Sequence, residues 1–321
     1  MMIQTEHLSK TYQNGFEAVK DLNLHVNNGD IFGFLGPNGA GKTTTIRMLD
    51  GLLTPTTGKV VINGMDIQKQ PIEIKKIIGV VPESHGYYDW MTAAEYLQYF
   101  STLFDGNKAN SHYIGELLNK VGLQEKRNVP VGHFSRGMKQ RLGIAKALVN
   151  HPKVVFLDEP TLGLDPRGQK EIQQLILDIN KMNGVTVFIT SHLLKDVEVL
   201  CSTVCIIKDG SIAVQGSIQQ LQEKYMPGYE MLLQTSDNMA AMSLLLDIKD
   251  IGKVTTAGDY ITVEFPSGLS ADEVNSLIHR LVAAIITANI DIKEMTRKTL
   301  SMEDIFFQAT EVHRNGSEAE Q

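Results

Sequence analysis

Cysteine and tryptophan are nearly missing from this 321-residue chain, which has two cysteines, Cys201 and Cys205, and one tryptophan, Trp90. Both cysteines stand among apolar neighbours in Leu200-Cys201-Ser202-Thr203-Val204-Cys205-Ile206 and read as small core or half-buried residues. A metal site would need further ligands close by, and a disulfide an oxidising compartment, so the cytoplasm fits better. No long run of Lys or Arg breaks the net charge of -7, which argues against a nucleic-acid partner, because neutralising phosphates takes a basic face. The longest greasy stretch, Leu281-Val282-Ala283-Ala284-Ile285-Ile286, falls far short of the ~20 residues of a bilayer-spanning helix. The first residues lack a basic region followed by an apolar core, so no secretory leader is expected. Any membrane role then has to come through a partner.

What is present is a globular composition, 42% hydrophobic, and enough chain for one large and one small domain. The large one is organised around Gly36-Pro37-Asn38-Gly39-Ala40-Gly41-Lys42-Thr43-Thr44, set between an apolar run at 31–35 and a helix-compatible stretch at 45–53. The spacing matches G-x-x-x-x-G-K-[ST], with a strand before it and a helix after it. Glycines let backbone N–H groups converge on phosphate oxygens, Lys42 supplies a point charge for the β- and γ-phosphates, and Thr43 can offer its hydroxyl to Mg²⁺.

Around this loop the pattern alternates strand and helix. Strands are expected at 2–6, 18–26 and 31–35, a hairpin over Asn63-Gly64, and a buried strand at 76–81 that ends in Pro82-Glu83 before the aromatic loop His85-Gly86-Tyr87-Tyr88-Asp89-Trp90. Tyr12 has two readings, a face for adenine or an edge-strand aromatic. Thr92 with Glu95 forms a capping box ahead of Tyr96, Leu97, Phe100, Leu103 and Phe104 at helical spacing, and a second helix follows at 111–121. Together they suggest a helical insertion over about 90–150. Ser135, in His133-Phe134-Ser135-Arg136-Gly137-Met138, is placed to cap the next helix, whose N-terminus could face an anion or be an ordinary helix start.

Lys153-Val154-Val155-Phe156-Leu157-Asp158-Glu159-Pro160 is an apolar strand ending in two carboxylates. A buried parallel strand explains the apolar run but not the acids. Beside a phosphate loop, the first acid can hold Mg²⁺ and the second can take a proton from attacking water. Leu162-Gly163-Leu164-Asp165-Pro166 turns into a helix to about 181, and a buried strand at 185–190 ends in Ser191-His192, where strand ends gather around a ligand. A hairpin over Asp209-Gly210 closes the domain near 216. The rest, after a linker at 217–227, reads βαββαβ over 228–310, a small α+β ferredoxin-like unit, with a polar and disordered tail at 311–321.

The phosphate loop, Ser135-Arg136-Gly137-Met138, Leu157-Asp158-Glu159-Pro160, Leu162-Gly163-Leu164-Asp165 and Ser191-His192, in that order, resemble the ATP-binding subunits of ABC transporters. The tail unit, with Leu300-Ser301-Met302-Glu303-Asp304-Ile305-Phe306 near its end, resembles the C-terminal extension of bacterial ABC-2 type exporters. The resemblance implies an α/β P-loop NTPase domain at 1–216 and assigns Tyr12 to adenine, Gly36 to Thr44 to the phosphates, Thr43 and Asp158 to Mg²⁺, Glu159 to the general base and His192 to sensing the γ-phosphate. It also implies a head-to-tail dimer, in which Ser135 and Gly137 touch the γ-phosphate held by the other copy and Asp165 crosses the seam. The implied protein is an ATPase at the inner face of the cell membrane that drives separately encoded membrane subunits. A soluble ABC ATPase outside transport is the alternative; its relatives carry two cassettes or a long coiled coil, and neither is present. A binding module that holds ATP without turnover is a further alternative, opposed by Glu159 and His192.

Two positions depart from the family pattern. Arg136 stands where the signature loop usually has glycine, a long cation in place of no side chain. Glu83 stands where a glutamine commonly contacts Mg²⁺; a carboxylate oxygen can take the same place, at the expense of extra negative charge beside Asp158 and Glu159.

Overall fold

The structure, a computed structural model, describes residues 1–316 except 85, 106–110, 226–227, 249, 267 and 299. The chain forms two units, Met1–Ile218 with Ala309–Gln321, and Gln219–Gln308.

In the first unit β1 (Ile3–Thr11) pairs antiparallel with β2 (Glu17–Leu22) and with the short β3 (His25–Val26). The single strand expected over 18–26 is split because the buried Thr5 hydroxyl replaces the ladder there: it donates to Leu22 O at 2.7 Å and accepts from Leu24 N at 2.8 Å. β4 (Ile31–Leu35) is buried throughout and runs into the glycine-rich loop and α1 (Lys42–Leu49). That helix starts earlier than expected and stops earlier too, at Asp50 and the left-handed Gly51. β5 (Thr57–Ile62) and β6 (Met65–Asp66) form the Asn63-Gly64 hairpin and complete the layer β2-β1-β5-β6. Next, α2 (Pro71–Ile77) takes the first two residues of the strand expected from 76, leaving β7 (Ile78–Val81). Pro71 preorganises its first turn, and Lys76 reaches Glu73 at 3.1 Å on the same face.

Asp50 caps α1 from a buried position, accepting from Leu52 N at 2.9 Å. Burial raises its carboxyl from 3.8 to about 6, against the pull of that hydrogen bond and of Arg47. A raised acid means that the folded chain holds the proton more tightly than the unfolded one. The cost of its charge is therefore absent below about pH 3.8 and complete above about 6. Asp50→Asn keeps an acceptor oxygen for Leu52 and discards the charge. We expect it to stabilise the chain at pH 8 by roughly 1–3 kcal/mol, a gain that fades in melts between pH 6 and 4.

The helical insertion consists of α3 (Ala93–Asp105), α4 (Ser111–Lys120) and α5 (Arg136–Leu148). α3 opens on the expected capping box, Thr92 N donating to Glu95 Oε2 at 2.8 Å and Glu95 N to Thr92 Oγ1 at 3.3 Å. After it come β8 (Val154–Asp158), α6 (Pro166–Asn183), β9 (Thr186–Ser191), α7 (Leu194–Leu200), β10 (Thr203–Lys208) and β11 (Ser211–Ser217). The central sheet runs β11-β10-β4-β9-β8-β7, with every neighbour parallel but the β10/β11 hairpin. Phe188 on β9 stacks on Phe32 at 5.3 Å and meets Phe156 at 5.6 Å, joining three strands in one core. Cys201 and Cys205 are free and buried, and burial pushes both thiols up, so they serve as core residues.

Parallel pairing decides where the chemistry gathers. The register Leu35↔Ser191, Asp158↔Thr190 and Val81↔Leu157 sets the C-terminal ends of β4, β9, β8 and β7 in a row along one edge. Such an edge is where open α/β sheets bind ligands.

α8 (Ile218–Tyr225) occupies most of the stretch expected as a linker. In the second unit β12 (Glu230–Thr235), α9 (Asn238–Leu246), β13 (Val254–Ala257), β14 (Tyr260–Glu264), α10 (Ala271–Thr287) and β15 (Ile292–Lys298) follow the expected order. The sheet is antiparallel in the order β13-β14-β12-β15, the ferredoxin-like arrangement, over a core that includes Leu233, Ile261, Val263, Leu281 and Ile285. Helix starts are capped, Asp237 by accepting from Met239 N and Ala240 N, and Ser270 by a box with Glu273. The last helix, α11 (Met302–Gly316), carries helical structure into the expected tail, and Lys208 Nζ donates to Thr310 O. Residues 317–321 of that tail lie outside the described residues.

Candidate functional site

The glycine-rich loop wraps the end of β4. Gly41 adopts φ +106°, and a Cβ there would stand 2.5 Å from Ala18 O, so only glycine fits at the start of α1. Lys42, 8% exposed, folds back over the loop and donates to Gly36 O at 2.7 Å and Pro37 O at 3.3 Å. Its ammonium is also 3.9 Å from Glu159 Oε1. Gly36 and Ala40 are buried behind the loop, while Pro37, Asn38, Gly39, Gly41, Lys42, Thr43 and Thr44 face a cleft of about 440 Å³.

Four expected residues from other strand ends face the same cleft: Glu83, Asp158, Glu159 and His192. Asp158 is buried and accepts from Thr190 Oγ1 at 2.5 Å, which fixes its carboxylate. Glu159 has a positive φ of 51°, a conformation that lifts the chain off the strand end and costs about 1 kcal/mol or more for a side chain of this kind. Three bonds hold it there: Glu159 N donates to Thr190 O at 3.1 Å and to Thr190 Oγ1 at 3.2 Å, and Leu162 N donates to Glu159 O at 3.2 Å. As a result Glu159 Oε2 stands 2.8 Å from His192 Nδ1 and accepts from His192 N at 3.3 Å. Glu83 is exposed at the end of β7, with freedom to meet a bound group.

Other expected residues are not brought into this cleft. Ser135 caps α5 by accepting from Met138 N at 3.3 Å, and Asp165 caps α6 by accepting from Gly168 N at 3.0 Å. Ser135 and Asp165 are exposed and Gly137 half-buried, and none of the three faces the cleft of its own chain. Tyr12 does not line it either; its hydroxyl lies 3.2 Å from Thr44 Oγ1, at the flank of the loop. The aromatic residue that lines the cleft is Phe16, 56% exposed, with the methyl of Ala18 among the other apolar lining groups. Sequence reasoning missed Phe16, Leu162 and Thr190. An aromatic just after the Gln13-Asn14-Gly15 turn was a usable cue for the first; for Thr190 nothing short of strand register could have shown it.

The sequence profile described as ABC transporter matches residues 19–162, which include the phosphate loop and both carboxylates. Over 305 residues the chain is 39% identical to the bacitracin transport ATP-binding protein BcrA of Bacillus licheniformis, covering 95% of this chain and 96% of that protein. The chain belongs to the ATP-binding subunits of ABC transporters. An uncharacterized ABC transporter ATP-binding protein of Bacillus subtilis, YcbN, is 34% identical over 95% of each chain. Among solved structures, the dimer of an ATP-binding cassette in a post-hydrolysis state with ADP and Pi overlays with a TM-score of 0.62 at 26% identity, covering 68% of this chain and 99% of that one. As an ABC ATPase the protein binds and hydrolyses ATP.

Proposed function

We propose that this ATPase powers a separately encoded membrane transporter, an exporter, by closing on ATP as a head-to-tail pair of copies. The observation that carries the reading is the separation of Ser135, Gly137 and Asp165 from the cleft of their own chain, at exposed helix starts. A helix N-terminus offers N–H groups and partial positive charge to phosphate, so α5 suits the open side of a second copy's cleft. The adenine would lie against Phe16, with Tyr12 beside it, and the γ-phosphate between Lys42 and the partner's α5. Glu159 would take the proton of the attacking water, with His192 holding its carboxylate in place.

Magnesium fits the cleft: the donors there are a hydroxyl and carboxylates, Thr43, Asp158 and Glu83, and a hard ion that keeps one or two carboxylates plus phosphate oxygens needs no more. When bound, it neutralises charge on the phosphates.

Partner docking falls to the aromatic loop. Trp90 is 73% and Tyr88 42% exposed, their rings 6.3 Å apart, whereas Tyr87 is anchored by its hydroxyl to Lys139 O at 2.6 Å, with its ring tilted against Tyr96 at 5.6 Å. The loop is thus a tethered base carrying exposed aromatics; its first residue, His85, lies outside the described residues. Among the described residues no helix is long and apolar enough to cross a membrane, so a place at the inner membrane face would come through such a partner. The bacitracin transport protein aligns with the second unit as well as the first, and this, with the resemblance of that unit to ABC-2 type extensions, supports export.

The test is whether an integral membrane subunit co-purifies with this chain from membranes. Trp90→Ala should lose most of the partner while shifting the melting temperature by no more than about 2 °C, as an exposed substitution does. A variant that melts well below the parent yet keeps the partner would show the loop to be core.

A further inference from the structure

α5 starts with a charge of the wrong sign. Its first turn carries Arg136 and no acidic residue, although a helix N-terminus disfavours cations. The other cations near this end have partners, Lys139 with Asp89 at 3.1 Å and Arg141 with Glu171 at 3.9 Å. Arg136 is exposed and its side chain makes no hydrogen bond or ion pair among the described residues, yet its guanidinium lies against one particular neighbour. A Cβ on Gly163 would stand 2.5 Å from Arg136 Cζ and 2.6 and 2.8 Å from its two terminal nitrogens. The guanidinium therefore lies across the face of Gly163, in the space where any other residue would put its side chain. Gly163 has φ +70°, so both its conformation and its missing Cβ are used.

Gly163 sits in the turn that leaves Glu159. Leu162 N donates to Glu159 O at 3.2 Å, Leu164 N donates to Thr161 O at 3.2 Å, and Leu162 lines the phosphate cleft with Glu159. Leu164 also approaches the other side of the α5 start, its Cδ2 3.9 Å from where a Gly137 Cβ would be.

We propose that Arg136 is a positioning residue that latches this turn to the start of α5, so that the Glu159 side of the cleft and the Ser135 surface of the same chain keep one relative placement. The inference rests on the head-to-tail reading, in which those two surfaces serve different ATP molecules. A flat guanidinium can cover a glycine face and a compact ammonium cannot, so the role belongs to arginine and not to positive charge in general.

Steady-state ATPase and ADP affinity of Arg136→Ala, Arg136→Lys, Gly163→Ala and the double variant Arg136→Ala/Gly163→Ala test it. Arg136→Ala should lower turnover at saturating ATP about tenfold, the scale of one coupling contact, with ADP affinity and melting temperature near those of the parent. Arg136→Lys should not rescue it. Gly163→Ala, which displaces the guanidinium, should match Arg136→Ala, and the double variant should be no worse than either. Gly184→Ala controls for left-handed geometry alone, since Gly184 has φ +60° and open space around it. Rescue by lysine, parental turnover in Arg136→Ala, or losses that add in the double variant would overturn the latch. Glu159→Gln run in parallel separates the two ideas: ATP-bound dimers there with parental turnover in Arg136→Ala overturn the latch alone, and no dimers overturn the head-to-tail reading and the latch with it.

Discussion

Glu159→Gln is expected to bind ATP, to lose turnover by about 10³-fold, and to remain dimeric for as long as ATP is present. The amide keeps the size of the carboxylate and an acceptor oxygen for His192 N, which Glu159 Oε2 meets at 3.3 Å, but it has no basicity to draw a proton from water. Lys42, 3.9 Å from Glu159 Oε1, loses a neighbouring anion, and this favours the phosphate all the more. Uncleaved ATP then acts as a ligand that binds only the paired state and stabilises it by mass action. Light scattering should give dimers with Mg²⁺ and ATP and monomers with ADP. Ser135→Arg added to Glu159→Gln should abolish those dimers by filling the exposed start of α5. Monomers at saturating ATP, or parental hydrolysis, would show that the base or the composite site is assigned to the wrong residues.

Gly41→Ala carries the other large effect. At φ +106° an L-residue is strained, and the added Cβ would stand 2.5 Å from Ala18 O, a backbone atom that no side-chain rotation can move away, with Val19 Cγ2 at 3.3 Å and Ile207 Cδ1 at 3.5 Å. The loop has to open, moving Lys42 and the N-terminus of α1 with it. We expect nucleotide affinity to fall at least about 100-fold and stability to fall by about 2–4 kcal/mol, from strain plus the displaced β2 contact. Gly39→Ala is the matched comparison, because Gly39 has φ +82° but nothing within 4 Å of its Cβ position. It should lose only about 1 kcal/mol in a thermal melt. Equal losses in the two variants would mean that conformation alone, and not the approach of Ala18, makes Gly41 necessary.

Much of the site was legible in the chain because its chemistry is local. A phosphate loop needs its glycines, lysine and hydroxyl within a few consecutive residues, and acids at the end of an apolar run announce a strand end that faces a ligand. Ser135, Asp165 and Thr92 could be read as helix starts for the same reason: a cap is satisfied by N–H groups two or three residues away. The βαββαβ order of the second unit followed from periodicity and turn residues alone. Helix bounds next to the loop, the helix over Lys76 and Ile77, and α8 in place of a linker were misjudged, since short segments carry too little pattern to separate helix from strand or coil.

Contacts between residues distant in the chain were decided by the tertiary structure. Parallel register, visible in no motif, aligned Leu35 with Ser191 and Asp158 with Thr190, and so brought Glu159 to His192 and gave Asp158 its hydroxyl partner. The same holds for Phe16 as the aromatic lining of the cleft and for Arg136 on Gly163. The sequence by itself determined which groups could do the chemistry, because bonding capacity belongs to each residue type; the tertiary structure decided which of them meet, because a side chain's partners depend on strand order and packing that no local stretch encodes.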